Sequence, residues 1–101
     1  MTGHRTTSID RGVAEREVGR LLETGPFSVA LRAAIRARGL GLERIRYRIL
    51  RRGVSISLAT LSHWQSGRCR PDRPDSLAAL GCLEEVLEVP PGSLVRLLDL
   101  E

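Results

Sequence analysis

Apolar residues in this chain recur every three or four positions, and glycine or proline repeatedly interrupts the pattern. Phe27, Leu31, Ala34 and Ile35 have this spacing, and Gly39 follows them. Side chains three and four residues apart lie on one face of an α-helix, and glycine is common just after a helix C-terminus. The pattern predicts an amphipathic helix that begins at Phe27 and stops at Gly39.

Four segments after Gly39 have the same spacing and predict four more helices. They are LERIRYRILRRG (42–53), SLATLSHWQSG (57–67), a helix capped by Asp75 or Ser76 with Leu77, Leu80, Leu83, Val86 and Leu87 at helical spacing, and SLVRLLDL (93–100). Ser57 is a good N-cap because its hydroxyl can accept the backbone N–H of Thr60. The five predicted helices favour an all-α fold. Aromatic residues make up 3% of the chain, so we expect its core to be mostly aliphatic.

Two segments between these helices are predicted to be non-helical. The β-branched residues of GVSIS (53–57) could suggest a strand, but five residues between two helical patterns are better interpreted as a turn, with Val54 and Ile56 directed toward the core. RCRPDRPDS (68–76) contains Pro71 and Pro74, which disfavour helix in the residues before them.

The first 26 residues are predicted to form a tail and an additional helix, and residues 27–101 are predicted to form the main domain. Residues 1–9 are polar and lack periodicity, which is typical of a chain terminus. Ser8 or Asp10 would cap a helix that runs to about Glu23. Four apolar residues lie roughly on one side of that helix: Val13, Val18, Leu21 and Leu22.

The charge balance points to a polyanionic partner. The chain has sixteen arginines, no lysine and twelve carboxylates, which leaves a net charge of +4 and an isoelectric point near 10.4. A basic protein is attracted to nucleic acids, and guanidinium groups suit phosphate. A GC-rich genome would also favour arginine over lysine, and the two explanations are compatible.

The sequence gives no support to a metal site, a cofactor or an enzyme. Cys69 and Cys82 have no second pair, and His4 and His63 add no zinc-ligand spacing. No glycine-rich phosphate loop follows a strand, and no histidine is placed to activate a nucleophile. We expect Cys82 in the core and Cys69 exposed in a loop.

The location expected from the sequence is cytoplasmic and associated with the nucleoid. The N-terminus has no secretory hydrophobic segment, and no apolar run approaches the length that spans a membrane. We therefore expect no membrane partner.

The segment LERIRYRILRRG carries two contrasting faces. Four apolar residues lie on one face, Leu42, Ile45, Ile49 and Leu50, and four arginines lie largely on the other, Arg44, Arg48, Arg51 and Arg52. The arginine face is either a merely solvated surface or a phosphate-binding surface. Tyr47 either covers the helix or offers its hydroxyl to a phosphate, and both alternatives stay open.

The next segment, SLATLSHWQSG, has a small and uncharged outer face. Leu61 and Trp64 are three residues apart and are predicted to face the core, which favours packing over base stacking for Trp64. His63 is either an idle surface residue or a donor to guanine.

A helix, a turn, a second helix bounded by Ser57 and Gly67, and a basic loop form the pattern of a helix-turn-helix. Residues 27–98 resemble the phage-repressor-like (Xre-type) helix-turn-helix family. The matching stretches are ALRAAIRARGLGLERI, SLATLSHWQSGRCRP and SLAALGCLEEVLEVPPGSL. The resemblance covers most of the chain and implies a five-helix repressor-like helix-turn-helix bundle, here with an extra N-terminal helix.

The resemblance also implies roles for individual residues. Five fall where base edges are contacted: Leu58, Ala59, Thr60, Ser62 and His63. Ser57, Ser66, Arg68 and Arg70 fall where the DNA backbone is contacted. The arginine face of LERIRYRILRRG adds Arg44 and Arg48, which gives six candidates for phosphate contacts. Two features depart from the family pattern, since GVSIS is longer than the usual turn and Leu58 and Ala59 cannot form the bidentate hydrogen bonds that discriminate bases. Partly indirect readout is therefore expected.

The leading functional hypothesis is sequence-preferring binding of double-stranded DNA in transcriptional regulation, with residues 57–66 in the major groove. A homodimer is compatible with it, because members of this family often read two half-sites one turn apart. Two alternatives stay open. One is a protein-interaction module, antitoxin-like or an adaptor, that binds a protein partner through Leu58 and Ala59. The other is the N-terminal domain of a longer regulator, in which Leu94, Leu97 and Leu98 need cover.

Overall fold

The computed structural model describes residues 14–100, and this part of the chain contains six helices and no strand. The helices are α1 (residues 14–24), α2 (Phe27–Arg38), α3 (Leu42–Leu50), α4 (Leu58–Ser66), α5 (Pro74–Leu87) and α6 (Ser93–Leu100). The prediction of an all-α fold is confirmed for these residues. The predicted tail (1–9), the predicted capping residues Ser8 and Asp10, and Val13 lie outside the described residues.

The helices share one mostly aliphatic core, and α2 lies at its centre. This helix packs against α4, α5 and α6, while α3 packs against α4 and α5. The predicted stripe of α2 is buried along its whole length: Phe27, Leu31, Ala34 and Ile35. Val18 and Leu22 of α1 are buried in the same core. Helices that are amphipathic on their own thus bury their apolar stripes against one another.

The core differs from the prediction at helix ends. Leu50, the last residue of α3, and Leu77, in the first turn of α5, are exposed. Leu94 and Leu97 are fully buried, and Leu98 packs against the core. The cover expected from a partner for these α6 residues is thus supplied largely by the other helices of the same chain.

The connection from α3 to α4 is an irregular segment, as predicted for GVSIS. The regular helix ends at Leu50, and its last turn tightens because the N–H of Gly53 donates to the carbonyl of Leu50 at 2.9 Å. Gly53 has a φ of 86°, a conformation that favours glycine. Val54 and Ile56 then pack against the core, which confirms their predicted orientation.

Helix α5 begins earlier than predicted. Its first residue is Pro74 and its N-cap residue is Arg73, which makes no side-chain capping hydrogen bond. Neither Asp75 nor Ser76 is the cap, and the prediction that 68–76 is non-helical is wrong for its last three residues. Proline is tolerated at the first helical position because an N–H at that position has no partner within the helix.

Arginine side chains bond to the C-terminal ends of five helices. A helix leaves its last four carbonyl groups without partners inside the helix, and guanidinium donors are also favoured there by the helix dipole. The hydrogen bonds join Arg96 to the carbonyl of Leu22 in α1, Arg52 to Arg48 in α3, Arg32 to Gln65 in α4, Arg38 to Val86 in α5, and Arg70 to Leu98 in α6. Helix α2 ends instead at Gly39 in the left-handed conformation, as predicted.

The N-terminus of α6 is capped by a buried carboxylate from α5. Glu84 is 3% exposed. Its Oε1 accepts the N–H of Gly92 at 2.8 Å, and its Oε2 accepts those of Leu94 and Val95 at 2.9 and 3.2 Å. The residue before α6 is glycine, which has no side chain to cap the helix. Glu84 therefore satisfies three backbone donors and fixes α6 against α5.

Replacing Glu84 by glutamine should destabilise the fold. The amide puts an NH2 donor where an oxygen now accepts backbone N–H groups, and it removes a negative charge from a helix N-terminus. We expect a loss of about 2 kcal/mol in the free energy of unfolding, measured by urea denaturation. The matched control is Glu85→Gln, which removes an exposed ion pair with Arg52 and should cost about 0.5 kcal/mol. Equal stability of the two variants would contradict the capping role.

Candidate functional site

Helix α4 packs against the core with its inner face, and its outer face is exposed to solvent. Leu61 and Trp64 are 0% and 2% exposed, which confirms that both belong to the core. The helix ends at Gly67, whose φ of 81° is left-handed. A Cβ on this glycine would lie 3.4 Å from Oγ of Ser28 in α2. Core packing and the close approach of α2 therefore set the orientation of α4.

The N-terminus of α4 has the predicted cap. Oγ of Ser57 accepts the backbone N–H of Thr60 at 3.1 Å, and the two hydroxyl oxygens lie 2.9 Å apart. Two of the predicted DNA-contacting residues, Ser57 and Thr60, are thus hydrogen-bonded to each other.

The five predicted base-edge residues occupy consecutive turns of α4. Ala59 and Ser62 are exposed and Thr60 and His63 are partly buried, while Leu58 is 36% exposed. None of these side chains carries a formal charge when histidine is neutral. Ala59, Thr60 and Ser62 have short side chains, so a partner could approach the helix backbone closely at these positions.

The C-terminal end of α4 is capped by local hydrogen bonds. The hydroxyl of Ser66 donates to the carbonyl of His63 at 3.1 Å, and the backbone N–H of Arg68 donates to the same carbonyl at 3.0 Å. The side chain of Arg68 is exposed. Among the described residues its guanidinium forms no hydrogen bond or ion pair.

Helix α3, which packs against α4, carries a stripe of basic and aromatic side chains. Ile45 and Ile49 are buried, so residues on the opposite side face outward. Residues at positions i, i+3, i+4 and i+7 share one face of a helix. This spacing gives the α3 stripe, defined as Arg44, Tyr47, Arg48 and Arg51, which lines a surface depression together with Arg52.

The arginines around this depression differ in their partners. Arg52 donates to Glu85 at 3.1 Å and to the carbonyl of Arg48 at 3.1 Å. The guanidinium carbon of Arg51 lies 5.9 Å from the centroid of the Tyr47 ring. Within the described part of the chain, the guanidinium groups of Arg44 and Arg48 form no hydrogen bond or ion pair.

Arg70 has a partner inside the protein. Its guanidinium donates to the carbonyl of Leu98 at 2.6 Å and so ties the segment after α4 to the end of α6. Of the six predicted phosphate contacts, Ser57 and Ser66 also take part in the capping of α4. Arg44, Arg48 and Arg68 are the three whose charged groups are not engaged by residues in the range 14–100.

The sequence leaves the role of Tyr47 open and does not place Arg51 among the phosphate candidates. The signal that joins them to Arg44 and Arg48 was present in the spacing of α3, because all four positions fall on one helical face. What the spacing does not show is that Arg52, the next arginine along, is paired with Glu85 from α5.

The exposed position predicted for Cys69 is confirmed, whereas Cys82 packs against the edge of the core and is not fully buried in it. Cys69 is exposed and Cys82 is partly buried, and both are free thiols. No cluster of three or more histidine, cysteine, aspartate or glutamate residues in the described range could hold a metal ion. Within the same range, none of the helices has the length and apolar content needed to cross a bilayer.

Comparison of the chain with models of protein families, with curated proteins and with solved structures gave no match.

Replacing Ser57 by alanine should destabilise α4, because it removes the acceptor for the N–H of Thr60. We expect a loss of about 1 kcal/mol, which in a domain of this size lowers the melting temperature by about 4–8 °C. Ser55→Ala is the matched control, since Ser55 is an exposed serine of the same loop and should leave the thermal transition unchanged. A Ser57→Ala variant that melts with the wild-type protein would rule out a stabilising cap.

Proposed function

We propose that this protein binds double-stranded DNA with a preference for certain sequences and acts in transcriptional regulation. In this proposal α3 and α4 form a helix-turn-helix unit, α4 enters the major groove, and arginines on either side of it in the sequence hold phosphates. The main support is the position of three arginines: Arg44 and Arg48 on the helix before α4, and Arg68 just after its end. Their guanidinium groups have no protein partner in the described range.

The outer face of α4 supports this function by its size. The major groove is about 12 Å wide, which admits one α-helix. Ala59, Ser62 and Ser66 are short side chains exposed on α4, so the helix backbone can come close to the base edges. Ser62, Thr60 and His63 offer hydrogen-bonding groups there.

The same face limits how sharply the protein discriminates between sequences. Leu58 and Ala59 can contact a thymine methyl group, but no arginine, asparagine or glutamine lies among the five base-edge candidates. Bidentate pairs contribute about 1–3 kcal/mol of discrimination each, and this face lacks the residues that form them most often. We therefore expect much of the sequence preference to come from DNA shape and deformability.

Binding to a fluorescein-labelled duplex should weaken steeply with salt. Three phosphate contacts give a slope of log affinity against log salt of about −3. The double variant Arg44→Gln, Arg48→Gln should reduce the magnitude of this slope by about 2, as measured by fluorescence anisotropy. It should retain the wild-type melting temperature, because neither guanidinium has a partner in the described range.

The matched control is Arg16→Gln with Arg36→Gln. Both residues are exposed and lie on α1 and α2, and the control removes the same net charge. A flat salt dependence of the wild-type protein would overturn the proposed function. Equal slopes for the two double variants would show that net charge alone, and not the arginines of α3, controls binding.

A second candidate is the protein-interaction module, and the apolar start of α4 favours it. Leu58 is 36% exposed and lies next to the exposed Ala59, which is a better match to an apolar protein surface than to base edges. Selection of bound sequences from random duplex DNA separates the two functions. An enriched motif supports DNA recognition, while the absence of any enriched motif favours a protein partner.

A further inference from the structure

Tyr47 differs from the other aromatic residues in its exposure. Phe27 and Trp64 are 1% and 2% exposed, whereas Tyr47 is 55% exposed. Its ring therefore lies at the surface, where both roles that the sequence left open for it, covering the helix and offering a hydroxyl to a phosphate, are compatible with its exposure.

The ring of Tyr47 is held in the middle of the α3 stripe. Arg44 lies one turn before it and Arg51 one turn after it on the same helical face. The Arg51 guanidinium is 5.9 Å from the ring centroid, a distance at which a cation is attracted to the face of the ring. This contact favours a ring position beside Arg51.

The depression beside Tyr47 suits an anion. Its lining consists of Tyr47 and four arginines, Arg44, Arg48, Arg51 and Arg52, and includes no carboxylate residue. Glu43 belongs to the same helix but does not line it, and Glu85 is paired with Arg52. Among the described residues, the hydroxyl of Tyr47 forms no hydrogen bond, so its O–H is available to an incoming acceptor.

We propose that Tyr47 is a phosphate-binding residue, whose hydroxyl donates to an oxygen of the nucleic-acid backbone while Arg44, Arg48 and Arg51 balance the charge. This inference rests on the proposed function and adds to it a neutral hydrogen-bond donor at the centre of the α3 stripe. From residue 44 to residue 51 the stripe is about 10 Å long, at 1.5 Å per residue. One strand of a duplex presents about three phosphates over that distance along its axis.

The test compares Tyr47→Phe and Tyr47→Leu with the wild-type protein in anisotropy titrations against the same duplex at several salt concentrations. Phenylalanine keeps the ring and the contact with Arg51 but lacks the hydroxyl. We expect Tyr47→Phe to weaken binding about tenfold, because a hydrogen bond to a charged group is lost. The salt slope should stay at the wild-type value, because no charge changes. Thermal unfolding followed by circular dichroism should be the same for Tyr47→Phe and wild type, since the residue is exposed.

The other outcomes overturn the inference in distinguishable ways. If Tyr47→Phe binds the duplex with wild-type affinity and both proteins keep a steep salt slope, the role of the hydroxyl is overturned and the proposed function stays intact. If Tyr47→Phe binds with wild-type affinity but Tyr47→Leu loses much of its affinity, the ring makes the contact and the hydroxyl does not, as in stacking on an unpaired base. No salt-dependent duplex binding by the wild-type protein would overturn both proposals.

Discussion

The structure depends on how the ends of short helices are satisfied. A helix leaves four N–H groups and four carbonyl groups without internal partners, and α3, α4 and α6 are only nine, nine and eight residues long. A large share of their backbone therefore needs partners from elsewhere. Glu84 supplies acceptors for three donors at the start of α6, and arginines supply donors at the ends of five helices. These bonds orient elements that have few residues with which to bury an apolar face.

This requirement separates the basic residues into two groups. Arg32, Arg38 and Arg96 donate to carbonyls of other helices, and their contribution is structural. Other arginines, among them Arg44 and Arg48 of α3, have guanidinium groups that form no hydrogen bond or ion pair within the described range. A net charge of +4 is therefore less informative about a polyanionic partner than the location of the arginines that remain unpaired. The proposed DNA-binding surface depends on that location.

The sequence was sufficient to predict most of the helices and the buried faces of α2 and α4. Apolar spacing depends on helix geometry alone, so the burial of Leu31, Leu61 and Trp64 could be predicted from it. The start of α5 could not, because proline is compatible with both a loop and the first helical position. Leu77 has the same helical spacing as the buried Leu80 and Leu83 yet is exposed, because periodicity alone does not show which residues of a helical face are covered by its neighbours.

In the candidate site too, some features could be predicted from the sequence and others depend on tertiary structure. The sequence by itself determined which residues share a face, so it placed Arg44, Tyr47, Arg48 and Arg51 together on α3 and a small, uncharged surface on α4. Tertiary structure decided which of the basic residues are available to a partner. Arg70 and Leu98 are 28 positions apart, yet their hydrogen bond uses a guanidinium that the sequence had assigned to phosphate. A bond of this kind depends on how the helices pack, and helical periodicity carries no information about it.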